Sequence, residues 1–152
     1  FGAGNHHHDD LCRHDPTAAG PSTIWAVNSL DPVISVGAVD WNDSNQDPTT
    51  RHRNSSRGPG QWSDRHPKPD CVAPTYGTVP WGCRDRWLEW WGTSGAAAQV
   101  AGLAALLLSA DPALTPAEIG EVIRETARPT GAPRECVGHG VIDCAAAVKR
   151  LG

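Results

Sequence analysis

Ser94 stands in the run Gly92-Thr93-Ser94-Gly95, directly ahead of an apolar stretch (96–108) broken only by Gln99. A serine at the head of a helix lies in the positive end of the helix dipole. The first-turn N–H groups there have no intrahelical partner, so they can receive a negatively charged oxygen. That arrangement suits a nucleophile, and it equally suits a plain N-cap serine; the local run leaves both readings open. A second cluster, His6-His7-His8-Asp9-Asp10, offers imidazole and carboxylate groups of the kind zinc, copper or nickel takes. Adjacent loop residues point in different directions, which favours a solvated polar loop there and no metal site. Asp40-Trp41-Asn42-Asp43-Ser44-Asn45 is rich in the oxygen ligands calcium uses, without the spacing of an EF-hand.

Five cysteines divide into two close pairs and a singleton. Cys71 and Cys83, like Cys136 and Cys144, bracket short segments that a disulfide could close, which would suit an oxidising compartment. Reduced, buried thiols are the alternative, and Cys12 is left over. Trp81, Trp87, Trp90 and Trp91 precede Ser94 closely and suit either an apolar pocket or core packing.

The elements that must position these groups are legible in outline. Ile24-Trp25-Ala26-Val27 predicts a short strand. Val33-Ile34-Ser35-Val36-Gly37-Ala38-Val39 is a largely β-branched run of the kind buried on both faces of a parallel sheet. Residues 40–69 read as loop, Lys68-Pro69-Asp70-Cys71-Val72-Ala73-Pro74 as a very short strand fenced by prolines, and the stretch after it as a Trp-rich, Gly-rich loop ending at Trp90-Trp91-Gly92. The apolar stretch 96–108 predicts a helix buried all round. Thr115-Pro116-Ala117-Glu118 carries an N-cap threonine, a proline at the first helical position and a glutamate three residues on. A Gly-rich strand over 138–142 and a helix over 143–151 follow. Strands mixed with helices give an α/β layer fold.

Composition narrows the function. The 152 residues suit one domain, and Gly (16) and Pro (13) are plentiful. Leu, Ile, Val and Phe number only 26, but twenty alanines, seven tryptophans and a net charge of −4 weigh against disorder. The mild acidity leaves no electrostatic footprint for nucleic acid. No apolar run reaches transmembrane length. Phe1-Gly2-Ala3-Gly4-Asn5 lacks the pattern of a signal peptide and reads as the end of a strand.

Gly92-Thr93-Ser94 followed by Val100-Ala101-Gly102 and a run of Ala and Leu resembles the nucleophile segment of the subtilisin-like serine proteases, the subtilases. Further segments match in order. Phe1-Gly2-Ala3-Gly4-Asn5 resembles the strand ending in the family's oxyanion-hole asparagine, and residues 33–39 its VITVGAV strand. Asn54-Ser55-Ser56-Arg57-Gly58-Pro59 resembles FSSRGP, and residues 68–74 resemble KPDVVAP. The capped helix from Thr115 and the segment 138–143 resemble the closing helix and strand.

The resemblance implies an α/β fold, the C-terminal half of a three-layer subtilisin-like architecture, with a mostly parallel sheet and a buried helix following the nucleophile. It implies Ser94 as nucleophile, Asn5 and the Ser94 N–H as oxyanion donors, and Ala3, Gly4 and His6 near the pocket for the side chain preceding the cut. Three positions depart from the family pattern. Ala98 and Gln99 stand where Pro and often His occur, and Gly95 replaces Met, with small expected effects on stability and little on chemistry. In this family the triad runs Asp, His, Ser, with Asp and His ahead of the asparagine. Residues 1–152 are therefore expected to form the C-terminal part of a catalytic domain whose N-terminal half supplies both. None of the seven histidines here is expected to replace the missing base. The implied partners are a protein or peptide substrate and that N-terminal half, with no nucleic acid and no membrane. No cofactor or metal is required, calcium being optional, and the expected setting is secreted or extracellular. The rival expectation is an inactive subtilase-like scaffold that binds peptides.

Overall fold

A buried carboxylate organises the first part of the chain. Asp70 is fully buried and accepts hydrogen bonds from the Ser35 N–H (2.7 Å) and from Lys68 Nζ (2.7 Å), and pairs with an Arg124 guanidinium nitrogen at 3.2 Å. Lys68, also fully buried, donates a further bond to the Val33 carbonyl at 2.6 Å. These bonds hold the residues that lead into two strands, β1 (Val36–Val39) and β2 (Cys71–Pro74). The strands pair in parallel, Val36 opposite Cys71 and Val39 opposite Pro74.

The computed structural model describes residues 1–6, 23–39, 52, 54–75, 77–80, 87–90 and 92–152, with 77–80 and 87–90 described by their backbone. Cys12, Cys83, residues 7–10 of the His/Asp run, the segment 40–45, Trp81 and Trp91 lie outside the described residues. On either side of β1 and β2 the sheet extends through parallel bridges, Gly2 to Val36 and Val141 to Val72. Four chain segments thus lie side by side. Strands β3 (Gly77–Pro80) and β4 (Trp87–Trp90) form an antiparallel hairpin where the sequence reads as loop.

Because side chains alternate along a strand, the sheet buries two faces. Val36, Ala38, Cys71 and Ala73 face one cluster with residues of three helices: α1 (Gly92–Ala110), α2 (Pro116–Thr126) and α4 (Cys144–Lys149). Val39 and Val72 face a second cluster with Cys136 and Val137 of the short helix α3 (Arg134–Val137). The result is the layered α/β arrangement with a parallel sheet that the sequence predicts. α2 starts at the Thr115 capping box, its hydroxyl accepting from the Glu118 N–H while Glu118 reaches back to the Thr115 N–H. Asp143 caps α4 by accepting from the Ala146 N–H.

Four expectations change. Ile24 makes only an isolated bridge, to Gly60, and Ala26–Ser29 form a 3-10 turn in place of a strand. The segment 138–142 contributes only the Val141 bridges to Val72 and Arg128, because α3 occupies the chain just before it. α1 begins at Gly92, so Ser94 lies inside its first turn, and the helix is buried on one face only. Ala96, Val100, Leu103 and Leu107 meet the sheet, while Leu106 and Leu108 are 55% and 41% exposed. By length and composition alone this 19-residue helix would suffice to cross a membrane, yet it packs along β1 and β2.

The cysteine expectation also needs correcting: Cys71, Cys136 and Cys144 are all unpaired. Cys71 lies fully buried in β2, and Cys136 is buried in the α3 cluster while Cys144 opens α4 at the surface. Burial, reinforced by the neighbouring Asp70 charge, pushes the Cys71 thiol up to about 12. Since the thiolate is the reactive form, Cys71 is inert in the folded protein. Iodoacetamide at pH 8 is therefore expected to alkylate Cys144 in native protein, and Cys71 and Cys136 only after unfolding. Peptide mapping checks this, and Cys136–Cys144 disulfide-linked peptides would contradict it.

Replacing Asp70 leaves the Lys68 ammonium buried without its counter-charge. Asp70→Ala is expected to cost about 3–5 kcal/mol in denaturant unfolding. A loss below about 1 kcal/mol, the range of exposed ion pairs, would show that the buried pair does not hold the strands.

Candidate active site

The sheet delivers the Gly2–Asn5 segment to its place. Ala3 N–H donates to the Val36 carbonyl (2.8 Å) and Val36 N–H to the Phe1 carbonyl (2.9 Å), so the segment runs along β1. At Gly4 the backbone turns out of the sheet with φ +114°, a conformation that glycine adopts without strain. A Cβ there would also stand 2.9 Å from Ser56 Oγ. Ser56 clamps the turn from both sides: its N–H donates to the Gly4 carbonyl at 2.8 Å, and its hydroxyl accepts from the His6 N–H at 3.2 Å. Asn5, between them, is exposed.

The other half of the site is the head of α1. Gly92 has φ +78°, and the Thr75 hydroxyl, from just after β2, donates to its carbonyl at 2.8 Å. A Cβ on Gly92 would lie 2.9 Å from Asn5 Nδ2, so the asparagine amide rests against this glycine. Thr93 is buried and ties the two halves together. Its N–H and its hydroxyl both donate to Asn5 Oδ1, at 3.0 and 3.1 Å, and the same hydroxyl accepts from the Gly4 N–H at 3.2 Å. With two donors on Oδ1, the amide is fixed so that its NH₂ end remains as the donor.

Ser94 follows at once and is exposed, and its hydroxyl has no hydrogen-bond partner among the described residues. Its N–H is one of the first-turn groups that helix geometry leaves without an intrahelical acceptor. Ser94 thus follows directly after Thr93, the residue that holds the Asn5 amide, so an accessible hydroxyl and an oriented amide donor both belong to the head of α1. A carbonyl attacked there would find hydrogen-bond donors for its developing negative oxygen.

The expected pocket residues divide. Gly4 forms the turn, His6 is exposed with its ring stacked on Trp25 (centroids 5.3 Å apart), and Ala3 is 1% exposed, its methyl in the core. None of the described histidines is bonded to Ser94: His52 is buried and accepts from the Asn54 N–H, while His66 borders a cavity beside α2. His139, half-buried near Arg134 and Arg124, has its pKa lowered by burial first and then by those two charges. Among the described residues no cluster of three His, Cys, Asp or Glu side chains could hold a metal ion. Thr93, Ser56 and Thr75 are the site residues that reading the sequence missed. Their types carry no distinctive signal, since their roles appear only when distant segments meet.

The model of the subtilase family matches residues 1–140. The chain is 57% identical over 58 residues to Mycosin-1 of Mycobacterium tuberculosis (strain ATCC 25618 / H37Rv), covering 38% of this chain and 13% of that protein. It is similar to MycP1 of Mycobacterium smegmatis, with 32% identity and a TM-score of 0.56 over 76% of this chain and 29% of that one. MycP1 is a serine protease and an essential component of the type VII (ESX-1) secretion system. A protease of Pseudoalteromonas arctica PAMC 21717, 24% identical, shares the fold with a TM-score of 0.61 over 99% of this chain and 42% of that one. The chain thus spans less than half the length of each.

The Thr93 hydroxyl is the shared hinge of the two halves. Thr93→Val keeps the shape but leaves the half-buried Gly4 N–H without its acceptor and Asn5 Oδ1 without one of its two donors, and is expected to cost about 1–3 kcal/mol in stability. Thr93→Ser retains the hydroxyl and should lose much less. Equal losses for the two variants in denaturant unfolding would show that the methyl, not the hydroxyl, matters.

Proposed function

The chain belongs to the subtilase family, and we propose that it is the serine-bearing part of a serine endopeptidase that hydrolyses peptide bonds through an acyl-enzyme on Ser94. The observation that carries this reading is the Asn5 amide, its oxygen held by Thr93, beside an exposed Ser94 in the first turn of α1. Family membership and the MycP1 relatives support the same reading.

In this mechanism Ser94 Oγ attacks the scissile carbonyl carbon while its proton passes to a histidine base. The carbonyl oxygen becomes an oxyanion that accepts from Asn5 Nδ2 and the Ser94 N–H. Collapse breaks the C–N bond, the histidine returns the proton to the leaving amine, and an acyl-Ser94 ester remains. Water, deprotonated by the same base, then attacks the ester and regenerates the serine. Gly4 and His6, with the backbone at Ala3, would border the substrate side chain preceding the cut. The histidine and the aspartate that orients it would come from the N-terminal half of the same catalytic domain, with residues 1–152 as its C-terminal part. Substrates would be proteins or peptides. A secreted or extracellular setting fits the membership of MycP1 in a secretion system.

A fluorophosphonate probe applied to the naturally produced protein is expected to label Ser94, with the site read by peptide mass spectrometry. Ser94→Ala should abolish labelling. Asn5→Ala should lower kcat roughly 10²–10³-fold with KM little changed, the loss known for this donor in subtilisin. Absence of label in native material beside a labelled control protease would overturn the enzymatic reading in favour of an inactive peptide-binding scaffold.

A further inference from the structure

A cavity of about 230 Å³ lies between the Asp31 turn, the loop at Arg65 and His66, and α2. Ile34, which leads into β1, also lines it, so the cavity sits where the strands begin. Asn5 and Thr75 leave the sheet at the opposite end. The volume exceeds what one water needs and falls below that of drug-sized sites, which suits a ligand of a few heavy atoms.

The charges around this cavity do not balance. Arg124, its side chain 12% exposed, places Nη1 3.2 Å from Asp70 Oδ1. The other oxygen of Asp70 already has the Lys68 ammonium at 2.7 Å, so two cations share one carboxylate. Arg124 therefore brings a surplus positive charge to the cavity wall. Arg65 is exposed and His66 half-buried, and neither side chain has a hydrogen bond or ion pair among the described residues. Asp31 is the acidic residue on the wall. Its carboxylate is already engaged, accepting from the N–H groups of Asp64 (3.3 Å), Arg65 (3.2 Å) and His66 (3.3 Å).

The wall on α2 is also shaped for the arginine. Glycine inside a helix is unfavourable, yet Gly120 stands there. A Cβ on it would lie 3.1 Å from Arg124 Nη1 and 3.6 Å from Nη2, so the missing side chain leaves room for the guanidinium against the helix. The first-turn N–H of Glu118 is taken by Thr115, and Pro116 has none, so side chains supply the attraction at this wall.

We propose that this cavity binds a small oxyanion, a carboxylate or a phosphate, between the guanidinium groups of Arg124 and Arg65, with His66 as a further donor. Planar guanidinium forks match the paired oxygens of either group. The site is independent of the protease reading, because it lies at the other end of the sheet and uses none of the groups around Ser94.

Calorimetric titration of the naturally occurring full-length protein with succinate and, separately, with inorganic phosphate tests this at ionic strength matched with sodium chloride. At least one of the two is expected to bind at a single site with a Kd of about 1 mM or tighter. Succinate alone marks a carboxylate ligand, phosphate alone a phosphate-bearing one, and both a general oxyanion site. Arg124→Gln should weaken binding roughly tenfold or more. Where that variant fails to fold, as judged by circular dichroism, Arg65→Gln reads the same loss, since its side chain makes no bond among the described residues. Binding of neither anion overturns the proposal, as does a folded Arg65→Gln or Arg124→Gln protein that binds as tightly as wild type.

Discussion

Burying the Asp70 carboxylate imposes a strict requirement, since an ionised group out of water is tolerated only when paired and hydrogen-bonded. Asp70 meets it with groups from three places: the Ser35 backbone ahead of β1, Lys68 ahead of β2, and Arg124 on α2. A slip of either strand by one residue would move a donor away and reverse which side chains face each core. The charge cluster thus sets the alignment of β1 with β2, and with it the positions of the outer segments that bridge to them at Gly2 and Val141.

Once that alignment is set, the carboxyl-terminal ends of neighbouring segments deliver their residues to one place. Asn5 follows the Gly2 segment and Thr75 follows β2, and both reach the head of α1. Ligand sites in parallel α/β sheets gather at this end, where the chain leaves the strands and the helix N-termini point. The site is assembled largely from backbone groups: two glycines at positive φ, Gly4 and Gly92, let two turns approach each other closely. Short side chains, Ser56, Thr75 and Thr93, lock them. Short hydroxyl side chains suit this work because they lose little rotamer freedom on ordering.

α1 shows how the same helix can serve core and surface. Its line of Ala96, Val100, Leu103 and Leu107 follows helical spacing and meets the sheet, while Leu106 and Leu108 stay open among the described residues. Apolar composition on every side of a helix indicates what it could bury. Which side it does bury depends on the layers around it.

What the sequence determined by itself is local or strongly patterned. The Thr115–Glu118 capping box, the Asp143 cap, the β-branched run leading into β1 and the serine at the head of a helix all depend on residues within a few positions of one another. Their geometry follows from propensity and spacing, as does the order of segments that resembles the subtilases. Tertiary structure alone decided the rest. The contact between Thr93 and Asn5 joins residues 88 apart in the chain, and the choice of Asp70 as a hub, the open face of α1 and the unpaired cysteines are equally non-local. Such contacts arise only when the strand register brings distant segments together, because hydrogen-bond partners and burial are properties of neighbours in space.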